Sequence, residues 1–254
     1  MLTWRLWRAL RSPDEDDPLF ERMQSQSIEL PGKRYLRPFT PIYHALAFFI
    51  PVIAVLIAPL ALLVASNVLG ALIAFNIMSA INRERNHHTY DLLALTPIGL
   101  GAVNWLIAAA CTQRLNAIER LSQFRTLAII TLILLGFYLL RGGLLATVAV
   151  GALIIALNFD AIQTLIIGCL SGMLAQEFGD VPFVALAIFV FIQVITIYLP
   201  VTAVGILLFD ILRRSQGARL DTDSLTIVIV LALLFALREV VIRLLWRELE
   251  RRLL

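Results

Sequence analysis

Ile42 to Ile81 reads IYHALAFFIPVIAVLIAPLALLVASNVLGALIAFNIMSAI, 40 residues without one Asp, Glu, Lys or Arg. One membrane-crossing helix takes about 20 apolar residues, so this run is long enough for two. The expectation is two spans joined by a very tight turn, at Pro59 or at the Ser66-Asn67 pair, with Pro51 kinking the first. The rest of the chain agrees in character: of 254 residues 60% are hydrophobic and 15% charged, and the mean hydropathy is +0.87. A soluble domain lies nearer half apolar and a quarter charged. Only helices and closed barrels satisfy the backbone in lipid, and the apolar runs lack the period-2 alternation of a barrel. The predicted fold class is therefore all-α: a polytopic helical membrane protein of six to seven transmembrane helices, with an N-terminal interfacial helix and a short cytoplasmic helix.

Upstream of the run, residues 1–41 form a cytoplasmic or interfacial segment, and residues 42–254 form the transmembrane domain. Trp4, Trp7 and Leu10 recur every three residues with Arg5, Arg8 and Arg11 between them. That pattern suits a helix lying in the interface, Trp side down. Seven of the 21 basic residues precede Pro41, five lie from Arg83 to Arg125, three from Arg213 to Arg219, and five from Arg238 onward. Between Thr126 and Leu212 there is only Arg141. This clustering follows the positive-inside rule and places the N-terminus in the cytoplasm. Cys111 and Cys169 are too few and too far apart for a disulfide framework or zinc site.

Downstream of the run lies a charged island, NRERNHHTYDLLALTP, Asn82 to Pro97. On a helix Glu84, His87, His88 and Asp91 share one face, and Arg85, Thr89, Leu92 and Thr96 another. Pro97 ends it. The 14 apolar residues Ile98 to Cys111 are short for a crossing. An amphipathic segment, residues 112–125, follows, with Leu115, Ile118, Leu121 and Phe124 at three-residue spacing. Ile98 to Arg125 reads as a cytoplasmic-side segment that dips partly into the membrane.

Further apolar stretches run Thr126–Leu140, Leu144–Leu157, Ala161–Ala175 and Val181–Phe209. Gln176 to Asp180 carries only acids, as an outside loop does. The last run, Leu225 to Leu237, leads into an Arg-rich amphipathic helix. Counting crossings from a cytoplasmic start puts its five arginines outside, so either one segment is re-entrant or the last run lies at the interface.

Asn158, Asp160 and Gln163 interrupt the apolar region. A carboxylate at bilayer depth marks a functional site by default, so these three are a candidate intramembrane polar site. The preferred reading is a turn between two spans of about 15 residues. Gly168 and Gly172 form G-x-x-x-G, a close-packing helix face. Metal binding is not expected, because the adjacent His87 and His88 point about 100° apart on a helix. No phosphate loop is present, since Gly32-Lys33 lacks its first glycine. No nucleophile elbow or zinc-protease signature occurs either. No catalytic residue, and no nucleic-acid partner, is expected.

The stretch from Arg83 to Pro97 resembles the membrane subunits of ATP-binding-cassette exporters of the type 2 permease class. In that family the second span is followed by E-R-x-x-x-T-x-x-x-L-x-x-T-P. Glu84, Arg85, Thr89, Leu93, Thr96 and Pro97 match, with Leu92 and Leu95 as apolar support; His88 stands where the family usually has Gly. Asp17 to Arg22 is similar to a related N-terminal pattern with its charged pair reversed. The resemblance implies that residues 82–97 are a coupling helix docking on a separate ATP-binding-cassette ATPase, with Glu84, Arg85, Thr89, Tyr90, Asp91, Leu92, Leu93, Thr96 and Pro97 as the partner-binding set. It implies that ATP and Mg are held by that ATPase and none by this chain. It further implies a second permease chain, in a homo- or heterodimer, and the bacterial inner membrane with its lipid as the setting.

The expectation is thus a non-enzymatic permease subunit of an ATP-driven exporter. Two alternatives stand beside it: a structural or assembly subunit that keeps the permease fold without transport, and a membrane enzyme using the His87/His88 island or Asp160.

Overall fold

The computed structural model describes residues 1–11, 50–87, 99–119, 144–179, 181–200 and 220–253, with the isolated positions or short stretches 20, 90, 121–123, 125–126, 129–130, 133 and 202; of 50–60, 144–150, 220–228 and 253 it describes the backbone alone. The described residues are helical, with no strand among them. The helices are α1 (Leu2–Arg11), α2 (Ile50–Asn86), α3 (Leu100–Arg114), α4 (Leu144–Ala175), α5 (Phe183–Gln193), which continues into a π-helical segment (Val194–Tyr198), and α6 (Leu220–Leu253).

Among the described residues no turn divides the long apolar run. From Ile50 onward it is one helix of 37 residues, about 55 Å at 1.5 Å per residue. The polar pair read as a turn is absorbed by the helix itself. Ser66 Oγ and Asn67 Nδ2 both donate to the Leu63 carbonyl, at 2.9 and 2.8 Å. Asn76 and Ser79 do the same to Leu72 and Phe75. Side chains that bond back to their own preceding turn need no break in the ladder. Pro51 and Pro59 both lie within this helix.

The turn expected at Asn158 to Asp160 is likewise absent, because α4 runs unbroken for 32 residues through it. Asn158 Nδ2 donates to the Ile154 carbonyl and Thr164 Oγ1 to that of Asp160, at 2.7 and 2.8 Å. Against six to seven expected spans, two described helices are long and apolar enough to cross a membrane, at Ala61–Asn86 and Gly151–Ala175; Phe183–Tyr198 is a shorter apolar one.

α2 and α4 run in the same direction and touch backbone to backbone. A Cβ on Gly168 would collide with the Gly70 carbonyl, and one on Gly172 would lie 2.8 Å from that of Ala74. A Cβ on Gly70 would in turn meet the Phe189 ring at 2.8 Å. α6 runs the same way, since Arg238 meets Asp160 and Arg252 lies over the Phe178 ring just past the end of α4. α3 and α5 run back between them. Thr112 of α3 meets Cys169, while Phe183 and Phe189 of α5 meet Phe75 and Gly70 in turn. The acid-bearing turn after α4 therefore shares an end of the bundle with Arg85, rather than lying opposite it.

α3 has 15 residues, about 22 Å, which is less than the roughly 30 Å hydrocarbon core. Gly99, at φ +79°, turns the chain into it, and Asn116, at φ +48°, turns the chain out; both residue types tolerate that region. α1 packs on α3, α4 and α6. Trp7 and Leu10 are buried in the protein, with Leu6, while Trp4 faces outward, so the expected Trp-down face is split. Each buried side chain contributes about 2 kcal/mol to that docking. The stretches Asp14–Asp17, Leu127–Ala128, Arg141–Gly143 and Arg213–Arg219 lie outside the described residues, as does His88.

Candidate functional site

Four helices wall a small polar chamber at the middle of α4. Arg238 of α6 is at its centre, 2% exposed. Its Nη1 pairs with the Asp160 carboxylate and also donates to the Asp160 carbonyl at 3.1 Å. Its Nη2 donates to Thr164 Oγ1 at 2.9 Å and to Gln193 Oε1 at 3.1 Å. One guanidinium fork thereby ties α4, α5 and α6 together. Thr164, Gln163, Gln193 and Thr196 are buried around it. The Phe159 and Phe235 rings close one flank, edge to face at 5.2 Å.

A cavity of about 120 Å³ adjoins the pair, with Asp160, Gln163, Thr196 and Arg238 on its polar side and leucines on the other. The π-helical segment starts one residue after Gln193 and brings Thr196 and Ile197 to the wall. Such segments are rare and recur at functional sites. Three buried donors here have no hydrogen-bond partner: Arg238 Nε, Gln163 Nε2 and Gln193 Nε2. Each unsatisfied buried donor costs about 1–3 kcal/mol, so the chamber is polar beyond what its own pairing satisfies.

A second polar knot lies where α2, α3 and α4 meet. The Tyr90 hydroxyl is 3.0 Å from both Asn104 Oδ1 and Gln176 Oε1, and its single proton serves one of them at a time. Arg85 Nη1 donates to the Gln176 carbonyl at 3.3 Å, and the guanidinium sits 5.2 Å from the Tyr90 ring centroid. Burial pushes the Tyr90 phenol above its usual value, against the opposing pull of its Asn104 hydrogen bond and of Arg85, so it stays neutral.

The sequence-derived residues fare unevenly. Asp160 and Gln163 line the chamber, whereas Asn158 bonds to its own helix backbone. Gly168 and Gly172 face α2. Glu84 is buried at the end of α2, Arg85 and Tyr90 join the knot, and His87 is exposed. Thr89, Asp91, Leu92, Leu93, Leu95, Thr96 and Pro97 lie outside the described residues.

Arg238, Thr164, Gln193 and Thr196 escaped the sequence reading. Arg238 is the first arginine after an apolar run, and it was counted with the solvated ones. Its spacing held the signal: Arg238, Ile242, Leu245 and Leu249 fall at i, i+4, i+7 and i+11, one helix face. Ile242 and Leu249 on that face are buried, while Arg243 and Arg247 are exposed. No protein-family model matches the chain, and no curated protein or solved structure matches it.

Proposed function

We propose that this chain is the membrane-embedded permease subunit of an ATP-driven exporter, moved by a separate ATPase that docks on the Asn82–Pro97 island. The observation that carries the reading is the Arg85–Tyr90–Gln176–Asn104 knot. It fastens the island to the ends of α2 and α4 and the start of α3 at once, so a displacement there moves three helices together. The glycine contacts between α2 and α4 pass that movement to the level of Asp160 without slack. The basic ends of α2 and α6, with Arg83, Arg85, Arg247, Arg251 and Arg252, favour a cytoplasmic position for that end of the bundle. The setting is a bacterial inner membrane, and a second permease chain completes the path.

The test is recovery of the ATPase with tagged full-length chain from detergent extracts. Leu92→Ala lowers that recovery at least tenfold with membrane insertion unchanged. Equal recovery, or a partner set without any ATPase, overturns the coupling. Two observations favour a second reading, a non-transporting subunit of a larger membrane complex. Glu84 and Tyr90 turn into the bundle, and α2 is a single helix where the permease family has two spans. Stable co-purification with a complex lacking an ATPase selects it.

A further inference from the structure

The chamber beside the Asp160–Arg238 pair has the chemistry of a binding site for one kind of molecule. Its unpartnered groups, Arg238 Nε, Gln163 Nε2 and Gln193 Nε2, are all donors, and the first two residues line the cavity. A group that satisfies them must bring acceptor oxygens. The fixed charges of Asp160 and Arg238 cancel, so a charged occupant leaves one charge unbalanced in a buried wall, whereas a neutral one does not. The cavity's 120 Å³ equals the space of about four waters at roughly 30 Å³ each, room for a compact head and no more.

The opposite wall is apolar, with Leu63, Leu157, Leu234 and Phe235. Asp160 is the more accessible member of the pair, its side chain 22% exposed against 2% for Arg238. Ile155 and Leu233, next in the chain to the lining Ala156 and Leu234, are 60% and 65% exposed. The polar pocket thus lies beside an apolar outer surface.

We infer that this cavity binds the uncharged, oxygen-bearing head of an amphiphile, of the alcohol or ester class, whose chain leaves over Ile155 and Leu233. Gln163 and the free edge of the Arg238 guanidinium donate to the head oxygen, and Thr196 accepts from its hydroxyl where one is present. The inference holds or fails independently of any ATPase.

The experiment uses full-length chain in phosphatidylcholine nanodiscs and a hexadecanol bearing a diazirine close to the hydroxyl. Crosslinks are mapped by mass spectrometry, with the matching fatty acid and amine probes as charged comparators. The alcohol labels residues 153–163 and 231–238 at least tenfold above the outer face of α5 around Phe191, and above either charged probe. Gln163→Leu lowers the cavity labelling at least fivefold. Ala156→Leu, which fills the space without removing a polar group, does the same. In both variants Cys169 stays shielded from thiol reagents. Even labelling of all apolar faces, equal labelling by the fatty acid, or wild-type labelling in both variants overturns the inference.

Discussion

Replacing Arg238 by methionine should be the most damaging single change of a charged residue in this chain. The substitution keeps the volume of the stem and removes the guanidinium. Asp160 then faces the chamber without its counter-charge, and Thr164 and Gln193 each lose a donor. Breaking one side of a buried pair costs about 3–5 kcal/mol. At about 2–4 °C per kcal/mol for a chain of this size, the midpoint falls by roughly 6–20 °C. The double variant Asp160→Leu with Arg238→Met removes both charges. Apolar replacement of a whole buried pair is often neutral, and although the Thr164 hydroxyl and the Gln193 amide oxygen each lose a donor, the double variant should melt closer to the wild type than the single one. Cys111 and Cys169 are free and buried, so a thiol-reactive dye reports unfolding in detergent without added labels. If Arg238→Met melts within about 3 °C of the wild type, or if the double variant is as damaged as the single, the pair does not hold α4, α5 and α6 together and the reasoning fails.

Other expectations follow from neighbouring contacts. Gly168→Ala forces a methyl group against the Gly70 carbonyl and should cost about 1–3 kcal/mol by the same melting assay, whereas Gly151→Ala, with open space around it, should be neutral or stabilising. Glu239 accepts from the Leu2 amide at 2.9 Å and from the Thr3 hydroxyl at the start of α1. Glu239→Ala should cost α1 about 0.5–2 kcal/mol, and hydrogen exchange of residues 2–11 should accelerate while that of α4 does not change. Glu248 is held below its ordinary value of 4.5, chiefly by the Arg252 hydrogen bond. Its support for the last turn of α6 is complete at neutral pH and fades as the pH falls from about 4.5 through the lower folded value; the protection of that turn against exchange, corrected for the intrinsic rate from pH 6 to pH 3, should show this, and Glu248→Gln should reduce the loss of protection.

The helical class was legible because apolar runs of this length have few other uses, and the island stood out by its charge. The helix breaks were misread for a physical reason. Ser66, Asn67 and Asn158 are turn-forming residue types, yet a small polar side chain inside a helix disposes of its donor on the carbonyl three or four residues back. Local sequence cannot distinguish the two outcomes. Asp160 was suspected but assigned to a turn, because the group that neutralises it lies 78 positions away on α6. A charge pair of that separation leaves no trace in any window of periodicity. Arg238 was hidden by company, as one arginine of five whose four companions follow in the same helix.

The parallel course of α2 and α4 has an electrostatic result. Each α-helix ends in carbonyls equivalent to about half a negative charge, which a nearby cation relieves. The final turn of α2 has Arg83 and Arg85, and that of α6 has Arg251 and Arg252, but that of α4 has no basic residue. Arg85 supplies it from the adjacent helix through its bond to the Gln176 carbonyl. The same arginine that the exporter resemblance assigns to an ATPase thus relieves the dipole of its neighbour. Loss of partner binding on replacing Arg85 reports two events at once, fraying of α4 and loss of a contact, and a substitution remote from that carbonyl separates them.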